Sequence, residues 1–312
     1  MRHVGSSPAR RATAESRPAP PVPPDGCGGG SVRPVEQAWD AAALRAALVG
    51  PAGAWARVDV VGQVGSTNAA LLASAAAGAP DRSVLVAEYQ DAGRGRLGRE
   101  WVSPPNTGVT VSVLLRPATV APDRYGWLPL LAGLAVRDAV RELVPARVCL
   151  KWPNDLLVGD AQNKAGGILA EATSGADGTA VVLGIGLNVA GGPGELPAGA
   201  TSLRAEGAEA VDRTKVLVTV LTRLAEREAA WRAAGGDPDA HRLRADYREA
   251  CSSLGAEVRV ELPGGMTATG MAEDVDRDGR LLLLGADGHR RAVAAGDVVH
   301  LRPVDRVETP DR

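Results

Sequence analysis

Residues 93–99, Gly-Arg-Gly-Arg-Leu-Gly-Arg, put three glycines and three arginines into seven positions. Glycine lets the backbone approach a ligand closely and adopt positive φ, and arginine offers five fixed donors that match carboxylate or phosphate oxygens in pairs. The segment therefore reads as a loop that closes over an anion. Gly93, Gly95 and Gly98 formally satisfy G-x-G-x-x-G, yet the dinucleotide fingerprint must open a helix and meet an acid about 20 residues on. Here Trp101, Ser103, Pro104 and Pro105 follow, and Arg116-Pro117 stand where the acid is due, so the fingerprint fails. No V-A-I-K, H-R-D or D-F-G accompanies the loop, which removes the kinase reading. A solvated linker is the plain alternative, although linkers favour serine over arginine.

A second cluster is Lys151-Trp152-Pro153-Asn154-Asp155, followed by Asn163-Lys164-Ala165-Gly166-Gly167. Proline stops a strand ladder and Asn154-Asp155 supply turn chemistry, so the first stretch reads as a turn between strands. A plain turn leaves the crowding of lysine, tryptophan and carboxylate unexplained. Lys151 suits a nucleotide phosphate, Trp152 an adenine face and Asp155 a Mg²⁺ ion. Lysine is also scarce: Lys151, Lys164 and Lys215 stand against 32 arginines. Ser66-Thr67-Asn68 precede a helical run; one of them serves as its N-cap, and their spare groups can grip a polar, neutral head group. Gly184-Ile185-Gly186-Leu187-Asn188 reads as a buried strand end whose glycines admit a ligand, or as a bulge.

His3, His241, His289 and His300 lie outside these motifs, and G-x-S-x-G, H-E-x-x-H and the Walker lysine loop are absent. Hydrolase and P-loop chemistry drop away. What survives is electrostatic: cations on flexible supports around a negatively charged reaction, each well-placed donor contributing on the order of 3 kcal/mol.

The elements that must hold these groups alternate. Strands are expected over residues 57–61, 84–89, 109–115, 147–150, 167–172 and 180–187, with helices near 35–48, after Ser66, over 127–143 and after Asp212. The last helix places Leu217, Leu221, Leu224 and Trp231 on one stripe. Beyond Cys251 short alternating strands with Asp278-Gly279 and Asp287-Gly288 turns read as a small barrel. Residues 1–34 hold seven prolines and five glycines without apolar periodicity and read as a disordered tail. The expected division is a tail over 1–34, a catalytic domain over 35–251 and a small domain over 252–312. With 312 residues, 45% apolar content and a formal charge of −2, the chain can fill a core but shows no basic field for nucleic acid. Three scattered cysteines and no 18-residue apolar run favour a reduced, cytoplasmic setting away from the bilayer.

Together, Ser66-Thr67-Asn68, Ala87-Glu88-Tyr89-Gln90, the 93–99 loop with Trp101, and the segments 151–157, 164–169 and 184–189 resemble the biotin protein ligases over about residues 55–303. The resemblance implies an α+β fold: a mixed-sheet catalytic domain of the class II aminoacyl-tRNA synthetase/biotin ligase type with a small C-terminal SH3-like β-barrel. It implies that biotin and ATP form biotinyl-5'-AMP with Mg²⁺, and that biotin then passes to a lysine of the biotin carboxyl carrier domain of an acyl-CoA carboxylase. By position, Ser66, Thr67, Asn68 and Gln90 would hold the biotin ring. Arg94, Gly95, Arg96 and Lys164 would serve its carboxylate, with Lys164, Arg94 and Arg96 as the catalytic cations. Trp101, Asn154, Asp155, Asn188 and Arg302 would serve the nucleotide, Asp155 also the metal. A proline-rich tail stands where some members carry a DNA-binding winged helix, so no DNA partner is expected; a homodimer stays open.

Overall fold

Branched aliphatic runs make the strands and alanine- and leucine-rich runs the helices of the computed structural model. It describes residues 39–49, 53–175, 178–192, 194–209, 211–294 and 296–300. The 1–34 tail, with His3 and Cys27, lies outside the described residues, as do positions 35–38 of the first expected helix. The described part of that helix is α1 (Ala41–Leu48), capped by Asp40, whose carboxylate accepts the Ala43 N–H at 2.9 Å.

The large sheet takes the order β1-β2-β3-β7-β6-β5-β4. Its strands are β1 (Arg57–Val64), β2 (Ser83–Gln90), β3 (Gly108–Leu115), β4 (Val148–Lys151), β5 (Asp155–Val158), β6 (Asn163–Gly175) and β7 (Gly178–Asn188). β1 and β2 are parallel, joined by helix α2 (Thr67–Ala76), and every other pairing is antiparallel. All eight residues of β3 are buried because both faces of the sheet are covered. Leu114 packs under α2 with Leu71 and Ala75, while Val109, Val111, Val113 and Leu115 join the main core on the opposite face. That core is built with α3 (Trp127–Arg141) and α4 (Arg213–Ala233), whose Leu217, Leu221, Leu224 and Trp231 stripe is buried as the spacing predicts. Asp212 caps α4 by accepting the Thr214 and Lys215 N–H groups.

Helix α5 (Leu243–Ala250) leads into the small sheet, order β11-β10-β9-β8-β12. Its strands are β8 (Glu257–Glu261), β9 (Thr267–Val275), β10 (Leu281–Leu284), β11 (Arg290–Val293) and β12 (Asp297–His300). Val258, Val260, Val275, Leu281 and Leu283 belong to the same core as α3, so the two sheets share one apolar interior. Backbone contact at this seam is close: a β-carbon on Gly126 would stand 2.2 Å from the Asp278 carbonyl. The neighbouring Trp127 indole N–H reaches the carbonyls of Asp276 and Arg277 at 3.2 and 3.0 Å.

Candidate active site

The N-terminus of α2 meets the sheet where β3 departs from its apolar pattern. Thr110 and Ser112 share the α2 side of β3, and Ser112 Oγ lies 2.7 Å from Thr67 Oγ1 and 2.6 Å from Asn68 Oδ1. Thr67 donates both its backbone N–H and its hydroxyl to Gln90 Oε1, at 2.7 and 2.9 Å. Gln90, which lines the cleft, thereby keeps its Nε2 donors free of Thr67. Asn68 is engaged within the protein: Nδ2 donates to the Leu169 carbonyl and to Glu171 Oε2, at 3.2 and 2.8 Å. Ser66 caps α2 with a long 3.4 Å bond from the Ala69 N–H. The result is a small field of neutral donors and acceptors held by a helix and two strands.

The arginine loop is an ordered hairpin. Gly95 N–H donates to the Arg99 carbonyl at 2.7 Å and Trp101 N–H to the Gly93 carbonyl at 3.0 Å, and the chain reverses at Leu97 and Gly98, both with positive φ. Gly93 has to be glycine here, because a β-carbon would stand 2.3 Å from the Trp101 carbonyl. The small sheet holds the loop from outside. Asp297 Oδ2 lies 2.6 Å from Arg99 Nη1, and Arg96 Nη2 donates to the Gly296 carbonyl at 3.2 Å. Burial lowers the pKa of the Arg96 guanidinium, while Asp297 and Asp155 act in the opposite sense.

Lys164 stands near the start of β6, beside an irregularity in the β5–β6 ladder. Leu156 pairs with Gly166 but Leu157 with Lys164, so Ala165 is bulged out and fully buried. A bulge of this kind re-aims the neighbouring side chain. The Lys164 backbone is fixed besides by bonds to the segment beside it: its N–H reaches the Gly199 carbonyl and its carbonyl accepts from Thr201, both at 2.9 Å. Lys164 Nζ lies 2.6 Å from Asp155 Oδ1, off the hydrogen-bonding direction, so that buried oxygen keeps no hydrogen-bond partner. Asn154 clips the turn to β6, donating from Nδ2 to the Ile168 carbonyl at 3.1 Å and accepting the Ile168 N–H at 2.9 Å.

Two clefts meet at Lys164. The first, about 750 Å³ with its solvent-filled mouth included, runs from Ser66, Thr67 and Gln90 past Val111, Ile168 and Ile185 to the arginine loop, Asp155 and Lys164. The second is lined by Lys151, Gln162, Asn188 and His300 and shares Glu100, Trp101, Asp155 and Lys164 with the first. The Trp101 ring forms part of the partition: it lies on Gly186, where a β-carbon would approach it to 2.3 Å, with Lys164 Nζ 5.9 Å from its centroid. Its buried indole N–H has no partner among the described residues.

Residues 62–188 match the model of the Biotin/lipoate A/B protein ligase family, and residues 253–301 that of the Biotin protein ligase C terminal domain. A biotin–[acetyl-CoA-carboxylase] ligase of Mycobacterium tuberculosis is 46% identical over 267 residues, covering 84% of this chain and 96% of that protein. The chain belongs to the biotin protein ligases. A bifunctional ligase/repressor of Bacillus subtilis is 32% identical over 222 residues, 70% of this chain and 66% of its own length. The Aquifex aeolicus biotin protein ligase, solved in complex with biotin and ATP, matches with a TM-score of 0.64 at 29% identity, over 79% of this chain and 99% of that one.

On this biotin protein ligase fold, Ser66, Thr67, Asn68, Gln90, Arg94, Gly95, Arg96, Trp101, Asn154, Asp155 and Lys164 all line the first cleft. Asn188 lies in the second, its Nδ2 donating to the Thr201 carbonyl at 3.1 Å. Arg302 lies outside the described residues. Three expectations need correction. Trp152 cannot face an adenine: it is 1% exposed and its indole N–H donates to the Gly279 carbonyl, so it packs the seam between the sheets. Lys164 is not on a flexible support but on a strand bonded from both sides. The bulge alternative for Gly184 and Gly186 also fails: they sit in unbroken register, make room for Asn68 and Trp101, and both line the first cleft. Sequence reasoning passed over Thr110, Ser112, Glu171 and Asp297. For Thr110 and Ser112 a signal was present, two polar residues at alternate positions of an otherwise apolar strand.

Proposed function

We propose that this chain is an ATP-dependent biotin protein ligase that forms biotinyl-5'-AMP and then biotinylates a lysine of a biotin carboxyl carrier domain in an acyl-CoA carboxylase. The observation that carries the reading is the position of Lys164 in the wall common to both clefts. The first cleft has neutral polar groups at one end, apolar walls and cations at the other, which matches a ureido ring, an aliphatic chain and a carboxylate. Ser66, Thr67 and Gln90 take the ring, with Asn68 fixing Thr67 through Ser112. The carboxylate then lies among Arg94, Gly95, Arg96 and Lys164, and the nucleotide occupies the second cleft beside Trp101, Asp155 and Asn188, with Asn154 reaching it from the first cleft.

In the first step a carboxylate oxygen attacks the α-phosphorus and the bond to the departing pyrophosphate breaks. Two anions must approach, and Lys164 lowers their repulsion and stabilises the charge that develops, a contribution of position and electrostatics. Asp155 holds the Lys164 ammonium in place until the ligands arrive. In the second step the carrier amine attacks the carbonyl carbon of the mixed anhydride, AMP leaves, and the loop held by Asp297 excludes water meanwhile. Mg²⁺ would be carried on the triphosphate and meet Asp155, whose Oδ1 makes no hydrogen bond although it pairs with Lys164; no cluster of three His, Cys, Asp or Glu residues is found among the described residues. Such an ion neutralises phosphate charge.

Exchange of labelled pyrophosphate into ATP tests the reading. It should require biotin; exchange supported by lipoate or octanoate in place of biotin would overturn it.

A further inference from the structure

His300, the last residue of β12, is absent from every motif and is not used by the mechanism above, yet its ring is held by a buried hydrogen-bond chain. Ser253, with no exposed surface, accepts the Trp152 backbone N–H at 3.2 Å and lies 3.0 Å from His300 Nε2. A serine hydroxyl has one proton. Ser253 Oγ accepts from Trp152 and keeps that proton to give to Nε2; in this arrangement Nε2 accepts and the neutral ring carries its proton on Nδ1. Burial first, and then the Lys151 charge, lower the imidazole pKa, in keeping with the neutral ring. Nδ1–H has no partner among the described residues, and the ring lines the second cleft with Lys151.

The order of groups along that cleft identifies what the donor meets. Lys164 belongs to both clefts and marks the α-phosphate, whereas Lys151 and His300 line the second cleft alone. Glu100, Asp155 and Asp160 line it too, so a polyphosphate there needs donors to offset three carboxylates. Resting on the ligase reading, we infer that His300 contacts the leaving group: its Nδ1–H donates to the pyrophosphate end of the triphosphate beside Lys151. The Ser253 bond engages Nε2, leaves Nδ1 for the ligand, and ties the small sheet to the 151–155 turn.

Three variants separate this contact from a packing role. Asn at position 300 keeps an amide near the place of Nδ1, Gln carries it out to the place of Nε2, and Ala removes both. In biotin-dependent exchange, His300→Gln and His300→Ala should raise the KM for pyrophosphate about tenfold, the loss of one hydrogen bond to a charged group. His300→Asn should stay within about threefold, and all three should bind biotinol-5'-AMP, which lacks pyrophosphate, within about twofold of the parent. Parallel weakening of biotinol-5'-AMP, or an unchanged pyrophosphate KM in all three, overturns the inference. ATP titration calorimetry on the same proteins decides about His300 independently: equal ATP affinity in parent and His300→Gln sinks it. Absence of biotin-dependent exchange in the parent would instead sink the ligase reading.

Discussion

The side chain on which the proposed chemistry turns is Lys164, and its surroundings separate catalysis from binding. Its ammonium is paired with Asp155 and bordered by the Trp101 ring, while Thr67 and Gln90, the groups proposed to take the biotin ring, stand at the other end of the cleft. Lys164→Ala should therefore slow adenylation by about 10²–10³, the usual cost of one donor aimed at developing charge. Biotin affinity should fall only a few-fold; calorimetry with biotin beside single-turnover adenylation makes the comparison, and near-normal turnover would remove Lys164 from the reaction. Gly186 gives a second test. A β-carbon there would stand 2.3 Å from Trp101, so Gly186→Ala must push the indole off the partition. If its whole effect passes through Trp101, the double variant Gly186→Ala with Trp101→Ala should lose no more activity than Trp101→Ala alone. Additive losses would show that Gly186 matters for another reason. The arginine loop and the lysine turn were legible in the sequence because charge and glycine are written in residue types. That Trp101, and not a ligand, rests on Gly186 was not legible, since it depends on a contact across 85 positions that no local pattern records.

At the scale of elements, β12 acts on the 93–99 loop from a distance of some 200 positions. Asp297 binds Arg99 and stands 3.9 Å from Arg96, and the Gly296 carbonyl accepts from Arg96. A half-exposed ion pair contributes about 1 kcal/mol. Asp297→Ala should thus raise the population of open loop about fivefold, read as faster tryptic cleavage after Arg94, Arg96 or Arg99 and as faster leakage of biotinyl-5'-AMP. Unchanged cleavage would mean that the hairpin bonds of the loop suffice. The sequence foretold strands and helices close to where they stand, because their 2.0 and 3.6 periodicities survive translation into structure. It placed β6 from Gly167, however, and the strand begins at Asn163. Gly166 and Ala165 have weak strand propensity, and only pairing with β5 and the 199–201 segment draws them into the sheet. This tertiary pairing is what makes the support of Lys164 rigid.

For the molecule as a whole, composition announced a second, β-rich part after Cys251, but not that it would share its interior with the first. Among the bonds that join them are those from tryptophans to backbone carbonyls, which leave no signature in periodicity. A clip between the parts titrates: α5 meets β9 where Arg248 and Asp274 form a bidentate pair. Burial raises the Asp274 pKa, but the Arg248 bond and the Val275 N–H outweigh it and the net shift is downward. A carboxyl held below its unfolded value of about 3.9 contributes stability that is present above that pH and lost as pH falls through the folded value. Asp274→Asn should hence be less stable than the parent at pH 7, and the difference should begin to shrink near pH 4 and vanish once pH has fallen through the lower folded value. A shared core makes a stronger demand. Trp127 is fully buried in α3 and donates to two carbonyls of the β9–β10 turn, so neither sheet keeps its packing without the other. Trp127→Ala should cost about 3–5 kcal/mol, the range for emptying a large aromatic site. Heat-capacity scans should show one transition in parent and variant, moved down as a unit in the variant, because the cavity opens against both sheets. Two transitions, with only one displaced by Trp127→Ala, would show that the small sheet melts independently and that the seam is a contact between separate bodies.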